Sequence, residues 1–240
     1  MIVEVCANSV ESAMIAEKAG ADRIEVCSEL GTGGITPSYG ILAAIRKRLT
    51  IPVHVLIRPR SGHFSYSDIE FEVMLSDIER CVDMGFEGIV SGVLMPDLNL
   101  DKRRTALLVA RAAGLQFTFH RAFDWVVDPF QTLAGLEDIG ADNILSSGQQ
   151  SSAGAGKELL IKLQQKASSC TIIAAAGIRS EIALELKELG ISAVHLSGAN
   201  RRRYLDTPPK LSMMNPGLFD EDGIVLTDQG IIEDVIKSVK

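Results

Sequence analysis

The hydrophobic period of this chain switches from two to 3.6 and back eight times from end to end, and few folds accommodate that pattern. Alternating apolar side chains read as a strand, and apolar positions three and four apart read as a helix. Strand patterns occur at 2–6, 23–27, 53–58, 88–94, from Phe117 onward, and at 143–147, 171–176 and 193–197. Helical patterns follow at 10–18, 39–48, 68–84, 100–113, 129–139, 157–167, 180–189 and 228–239, with Ser9 and Ser180 as N-caps and Gly20 as a stop. Strict strand–helix alternation predicts a parallel sheet with crossover helices. Eight such units predict a single α/β domain over 1–240, a TIM-type (β/α)8 barrel, and the 240 residues suit that size. The pattern fails only after Asn200: residues 204–222, rich in Pro, Asp and Met, form an irregular segment before the last helix. That segment is expected either to cross the barrel mouth or to arm a partner subunit.

Composition narrows the function classes. The net charge of −7 argues against a nucleic-acid partner, because phosphate binding needs clustered Lys and Arg, and a run of three such as Arg201-Arg202-Arg203 makes only a weak patch. No stretch approaches the ~18 apolar residues of a membrane span, and the N-terminal residues read as a strand rather than a signal peptide. The four cysteines, Cys6, Cys27, Cys81 and Cys170, form no C-x-x-C pair, which suits a reducing compartment. A cytoplasmic protein is expected.

Strand parity then predicts what faces the barrel axis, since side chains alternate and the outer face must be apolar to meet helices. Val3 and Val5, Ile24 and Val26, and Val53, Val55 and Ile57 take the outer face. Glu4 and Cys6, Arg23, Glu25 and Cys27, and His54 and Arg58 are left inside, joined by His120, Asn143, Ser147, His195 and Ser197. The stretch from Phe117 to Asp124 places His120, Arg121 and Asp124 where a strand ends, and functional groups of such barrels sit at strand C-termini. Buried charges cost several kcal/mol unless paired, so an interior this polar indicates either a structural network or a small hydrated pocket. Gly177 and Gly198 follow the last two strands, where backbone N–H groups of barrels commonly cradle phosphate.

Two chemistries remain open. Cys6 and Cys27 end adjacent strands with the same parity, and paired thiolates suit a soft ion such as Cu(I). Alternatively, the pocket belongs to an enzyme acting on a small phosphorylated or carboxylated metabolite. Glu25 or His120 is then the acid/base group, Arg58 and Arg60 hold the anion, and Glu4, Arg121, Asp124, Ser147, Gly177, His195 and Gly198 complete the site.

Several segments resemble the copper homeostasis protein CutC family: Glu4-Val5-Cys6-Ala7, Gly20-Ala21-Asp22-Arg23-Ile24-Glu25-Val26-Cys27, Ile57-Arg58-Pro59-Arg60, Thr118-Phe119-His120-Arg121-Ala122-Phe123-Asp124, Ser146-Ser147-Gly148-Gln149 and Val194-His195-Leu196-Ser197. They run through residues 1–200 in the family's order. The resemblance implies a cytoplasmic (β/α)8 barrel, a homodimer or higher homo-oligomer, and a role in copper handling. Cu(I) binding through cysteines would map onto Cys6 and Cys27.

Overall fold

The computed structural model of the chain describes residues 1–203, 205–207, 210–211 and 223–240. Eight parallel strands close a barrel in sequential order: β1 (Ile2–Ala7), β2 (Arg23–Val26), β3 (Val53–Leu56), β4 (Gly88–Ser91), β5 (Gln116–Phe119), β6 (Asn143–Ser146), β7 (Thr171–Ala175) and β8 (Ala193–Leu196). Helices α1 (Val10–Lys18), α2 (Tyr39–Arg46), α3 (Asp68–Asp83), α4 (Lys102–Arg111), α5 (Pro129–Asp138), α6 (Lys157–Lys166), α7 (Ser180–Glu188) and α8 (Gln229–Val239) alternate with them. The predicted barrel is therefore the observed fold, with strands ending one to three residues earlier than the patterns in most cases.

Local signals explain the joints. Ser9 accepts from the Ser12 N–H at the start of α1, and Gly20, at φ +92, releases the chain after it. Helix α3 starts with a reciprocal capping box between Ser67 and Glu70. Ser180 is not the cap predicted for α7: Arg179 occupies the N-cap position and makes no side-chain capping bond, and Ser180 is the first helical residue.

The outer strand face and the helices share one large apolar core in which Val3, Val5, Ile24, Val26, Phe117 and Phe119 meet residues such as Ala16, Ile45, Met74, Leu108 and Leu186. Burying each large side chain stabilises the fold by about 1.5–3 kcal/mol. Inside the barrel are two smaller apolar groups, Cys6, Cys27, Leu56 and Val90 on one side and Leu145, Ile173, Ala175 and Ala193 on the other. Buried polar side chains, among them Glu4, Arg23, Glu25, His54, Thr118 and Asn143, fill the rest.

Two further strands escaped the sequence reading. β9 (Ala199–Arg203) and β10 (Gly223–Thr227) pair antiparallel, and Thr227 ties the hairpin to the barrel by donating its N–H to the Ser12 hydroxyl. The expectation for 204–222 falls mainly outside the described residues.

Candidate functional site

The barrel opens at the C-terminal ends of its strands into a cavity of about 410 Å³, a size that suits a small ligand. Its floor is an ionic relay. Glu4 on β1 is fully buried, takes a 2.5 Å hydrogen bond from Arg23 Nε through Oε2, and lies 2.7 Å from His195 Nδ1 through Oε1. Strand pairing makes this inevitable, since Glu4 stands opposite Arg23 on β2 and opposite His195 on β8. Burial alone would raise the Glu4 carboxyl, but the His195 hydrogen bond and the charges of Arg23 and His195 outweigh it and hold Glu4 at about 2. His195 responds in kind: burial lowers it, but Glu25 and Glu4 more than compensate and raise it. His54, beside Arg23, is instead lowered to about 4 by burial and by the guanidinium charge.

Above this floor lies Glu25, with Oε2 3.9 Å from His195 Nδ1 and Oε1 3.8 Å from Cys6 Sγ. Burial lifts its carboxyl to about 7, against the pull of His195 and with help from the Glu4 charge. The sulfurs of Cys6 and Cys27 are 3.6 Å apart. Cys6 lines the cavity and Cys27 sits wholly buried behind it. Contact with Cys27, burial and the two nearby carboxylates all raise the Cys6 thiol. The turn containing Gly34 (φ +84) lies so close over this pair that a Cβ there would be 2.6 Å from Leu56 and 3.1 Å from Cys27, so only glycine fits.

The cavity walls hold arginines and aromatic rings. Arg58 gives Nη1 to the Thr32 and Gly34 carbonyls and Nη2 to that of Gly62, so it ties together the loops after β2 and β3. His120 packs edge-on to Phe64, which packs in turn on Trp125. Burial and the Arg58 charge hold His120 at about 3, so its ring is neutral at physiological pH. Arg121 donates to Asp124 and to the Ser147 hydroxyl, while Asp124 is anchored by the Ser146 hydroxyl and the Ser147 N–H.

Of the residues predicted from sequence, Cys6, Glu25, Arg58, His120, Arg121, Gly177 and His195 line the one cavity. Glu4 and Cys27 lie directly behind liners, and Asp124 and Ser147 hold Arg121 in place. Two residues lie elsewhere. Arg60 is turned onto Glu70 of α3 and the carbonyls of Ser61, His63 and Ser65. Gly198 packs on α8, where a Cβ would be 2.5 Å from Ile232.

The sequence pattern of the CutC family matches residues 1–200. A CutC family protein from Edwardsiella ictaluri is 46% identical over 200 residues, covering 83% of this chain and 80% of the relative. One from Salmonella agona is 42% identical over 196 residues, covering 82% and 79%. The chain belongs to the CutC family. The crystal structure of the putative copper homeostasis protein CutC from Streptococcus agalactiae superposes with TM-score 0.78 at 29% identity, covering 82% of this chain and 98% of that one. A thiamine phosphate pyrophosphorylase from Pyrococcus furiosus, at 16% identity and TM-score 0.62, shares the barrel fold. The matched CutC region ends where the β9–β10 hairpin begins, so every residue of the site lies within it or at its edge.

The cavity of this CutC family member also contains liners that sequence reasoning did not name: Leu30, Thr32, Phe64, Trp125 and Arg179. Trp125 had a usable signal, as the single tryptophan of the chain one residue beyond Asp124. Cys6, Glu25 and His195 present potential metal-ligand atoms that all lie within 4.8 Å of one another.

Proposed function

We propose that the protein serves copper homeostasis by holding Cu(I) at the floor of the barrel, with Cys6 and Cys27 as the thiolate pair. The carrying observation is the 3.6 Å separation of the two sulfurs. Two metal–thiolate bonds of about 2.3 Å span at most ~4.6 Å, so one ion can take both sulfurs without moving the strands. Soft sulfur donors favour Cu(I). Glu25 and His195 offer further donors beside Cys6. With Nδ1 committed to Glu4, His195 has Nε2 left for a ligand, an arrangement in which a carboxylate fixes the ring's tautomer and aim. The Streptococcus agalactiae CutC structure carries copper homeostasis, not a reaction, in its name, and this supports the copper reading over a barrel enzyme.

Binding must displace protons, because the ligands are thiolates and the Cys6 thiol is raised. Affinity therefore increases with pH. In a competition titration against a colorimetric Cu(I) chelator under reducing conditions, wild type should bind one ion, and more tightly at alkaline than at mildly acidic pH. Cys6→Ser with Cys27→Ser should abolish binding. Unchanged affinity in the double variant removes the site.

Among the described residues no helix is long and apolar enough to cross a membrane. We take the protein to act in the cytoplasm, where free thiols stay reduced, and to be a homo-oligomer. Exposed Trp125, Val127 and Phe130 beside the mouth are apolar surface consistent with that assembly, and sedimentation of the full chain tests it.

A further inference from the structure

We propose that the barrel mouth, above and apart from the thiol pair, binds a small organic anion: its negative head sits at the N-terminus of α7 between Arg179 and Arg121, and an acceptor atom of its body meets His120. This site uses residues the copper reading does not need, and the two stand or fall separately.

Three observations carry the inference. Gly177, Ile178 and Arg179 line the cavity immediately before α7, so the positive end of that nine-residue helix opens onto it. Among the described residues no side chain caps the helix, since the N-cap Arg179 makes no capping bond. Its first N–H groups are therefore not satisfied in the usual way.

The second observation is independent of the helix. His120 is only 4% exposed and lines the same cavity. Its Nδ1 accepts from the Ala122 N–H at 3.4 Å, which leaves the ring proton on Nε2. Nε2 is buried and has no partner among the described residues. A buried donor without an acceptor costs about as much as a lost hydrogen bond, so such a group in a cavity wall calls for a ligand that supplies one. The neighbouring Arg58 guanidinium disfavours a cation there.

The third is charge. Among the described residues Arg58, Arg121 and Arg179 line the cavity against a single acidic liner, Glu25. Asp124 and Ser147 orient Arg121 over the end of β6, next to β7 and the start of α7. Arg179 uses only Nη1 among the described residues, on the Ile178 carbonyl. The rings of Phe64 and Trp125 give an apolar wall that a bare inorganic ion would leave uncovered. An organic body with an anionic head matches both.

Trp125 is the only tryptophan in the chain and lines the cavity, so its emission reports occupancy directly. Copper-free, reduced protein is titrated with inorganic phosphate, with a panel of mono-, di- and tricarboxylates and phosphorylated sugars, and with their uncharged amides and parent sugars. At least one organic anion should change the emission saturably while its uncharged counterpart does not, and it should bind more tightly than phosphate. Arg179→Gln and His120→Phe should each weaken it about tenfold or more, the effect of losing one charge-assisted or buried hydrogen bond. Arg179 is exposed, so its variant keeps the test valid even where His120→Phe fails to fold. No saturable response from any anion, a response to phosphate as strong as to any organic anion, or binding unchanged in both variants overturns the proposal.

Discussion

Replacing Glu25 with Gln isolates the cost of placing a carboxyl group inside the barrel. Burial lifts this group to about 7, opposed by His195 and assisted by Glu4, from an ordinary 4.5. The unfolded chain loses the proton first, so from about 4.5 to 7 the native state holds more protons than the unfolded one. Stability must therefore fall as pH rises through that window. The change from 4.5 to about 7 corresponds to ~3 kcal/mol once both states have titrated. Glutamine mimics the protonated carboxyl, so near pH 4 variant and wild type should be about equally stable. Near pH 8 the variant should be more stable, by about 1–3 kcal/mol after allowing for the attraction to His195 that it loses. Urea unfolding, followed by Trp125 fluorescence and by far-ultraviolet circular dichroism, measures the difference at both pH values. A variant no more stable than wild type near pH 8, or a gain of the same size at both, would falsify the claim that Glu25 carries a buried-charge penalty.

Two other substitutions probe the frame around the site. Arg58→Lys keeps the charge but cannot reach the carbonyls of Thr32, Gly34 and Gly62 together. Hydrogen bonds to charged groups are worth roughly 1.5–3 kcal/mol each, so the urea midpoint should drop by the equivalent of about 2–4 kcal/mol with an unchanged slope; an unmoved midpoint refutes the clamp. In Gly88→Ala the new Cβ would be 2.4 Å from the His54 ring, which lies across Gly88 from the paired strand. A loss of about 1–3 kcal/mol is expected from this overpacking, and wild-type stability in thermal unfolding would show that the ring is free to move aside.

Strand parity made the barrel and most of its inner surface legible, because a period of two leaves little choice once one face must meet helices. It placed Glu4, Cys6, Glu25, Cys27, His54 and His195 inside correctly. Parity says nothing once a strand ends, and there the reading weakened. Arg60 was assigned to an anion from its closeness to Arg58 in sequence, yet its partner Glu70 lies on the first turn of α3. The Ser67–Glu70 spacing of a capping box was visible, but it revealed the start of a helix and not the reach of Arg60 toward it. Gly198 was read as a phosphate cradle because nothing local predicts that Ile232 of α8, more than thirty residues on, packs against it. The β9–β10 hairpin was missed for a related reason: its arms are separated in sequence by residues 204–222, and Asn200 and three arginines give β9 no apolar alternation.

The buried relay beneath the thiols is the part of this molecule least explained by stability. Arg23, Glu4 and His195 form a chain of ion pairs in an almost wholly buried layer, and desolvating such groups costs several kcal/mol per ion, which their mutual attraction offsets only where the geometry is good. Hydrophobic side chains of similar volume would make a cheaper barrel floor, as Leu145, Ile173, Ala175 and Ala193 do across β6, β7 and β8. The asymmetry follows the chemistry. The polar relay lies on β1, β2 and β8, the strands that also present Cys6, Glu25 and His195 to the cavity, whereas Leu145, Ile173 and Ala175 lie on β6 and β7. Glu4, held ionised by Arg23 and His195, keeps its negative charge where it orients the His195 ring and lifts Glu25. Every polar group of the relay thus acts on a donor atom above it, and this coupling ties the cost of the floor to the site rather than to the fold.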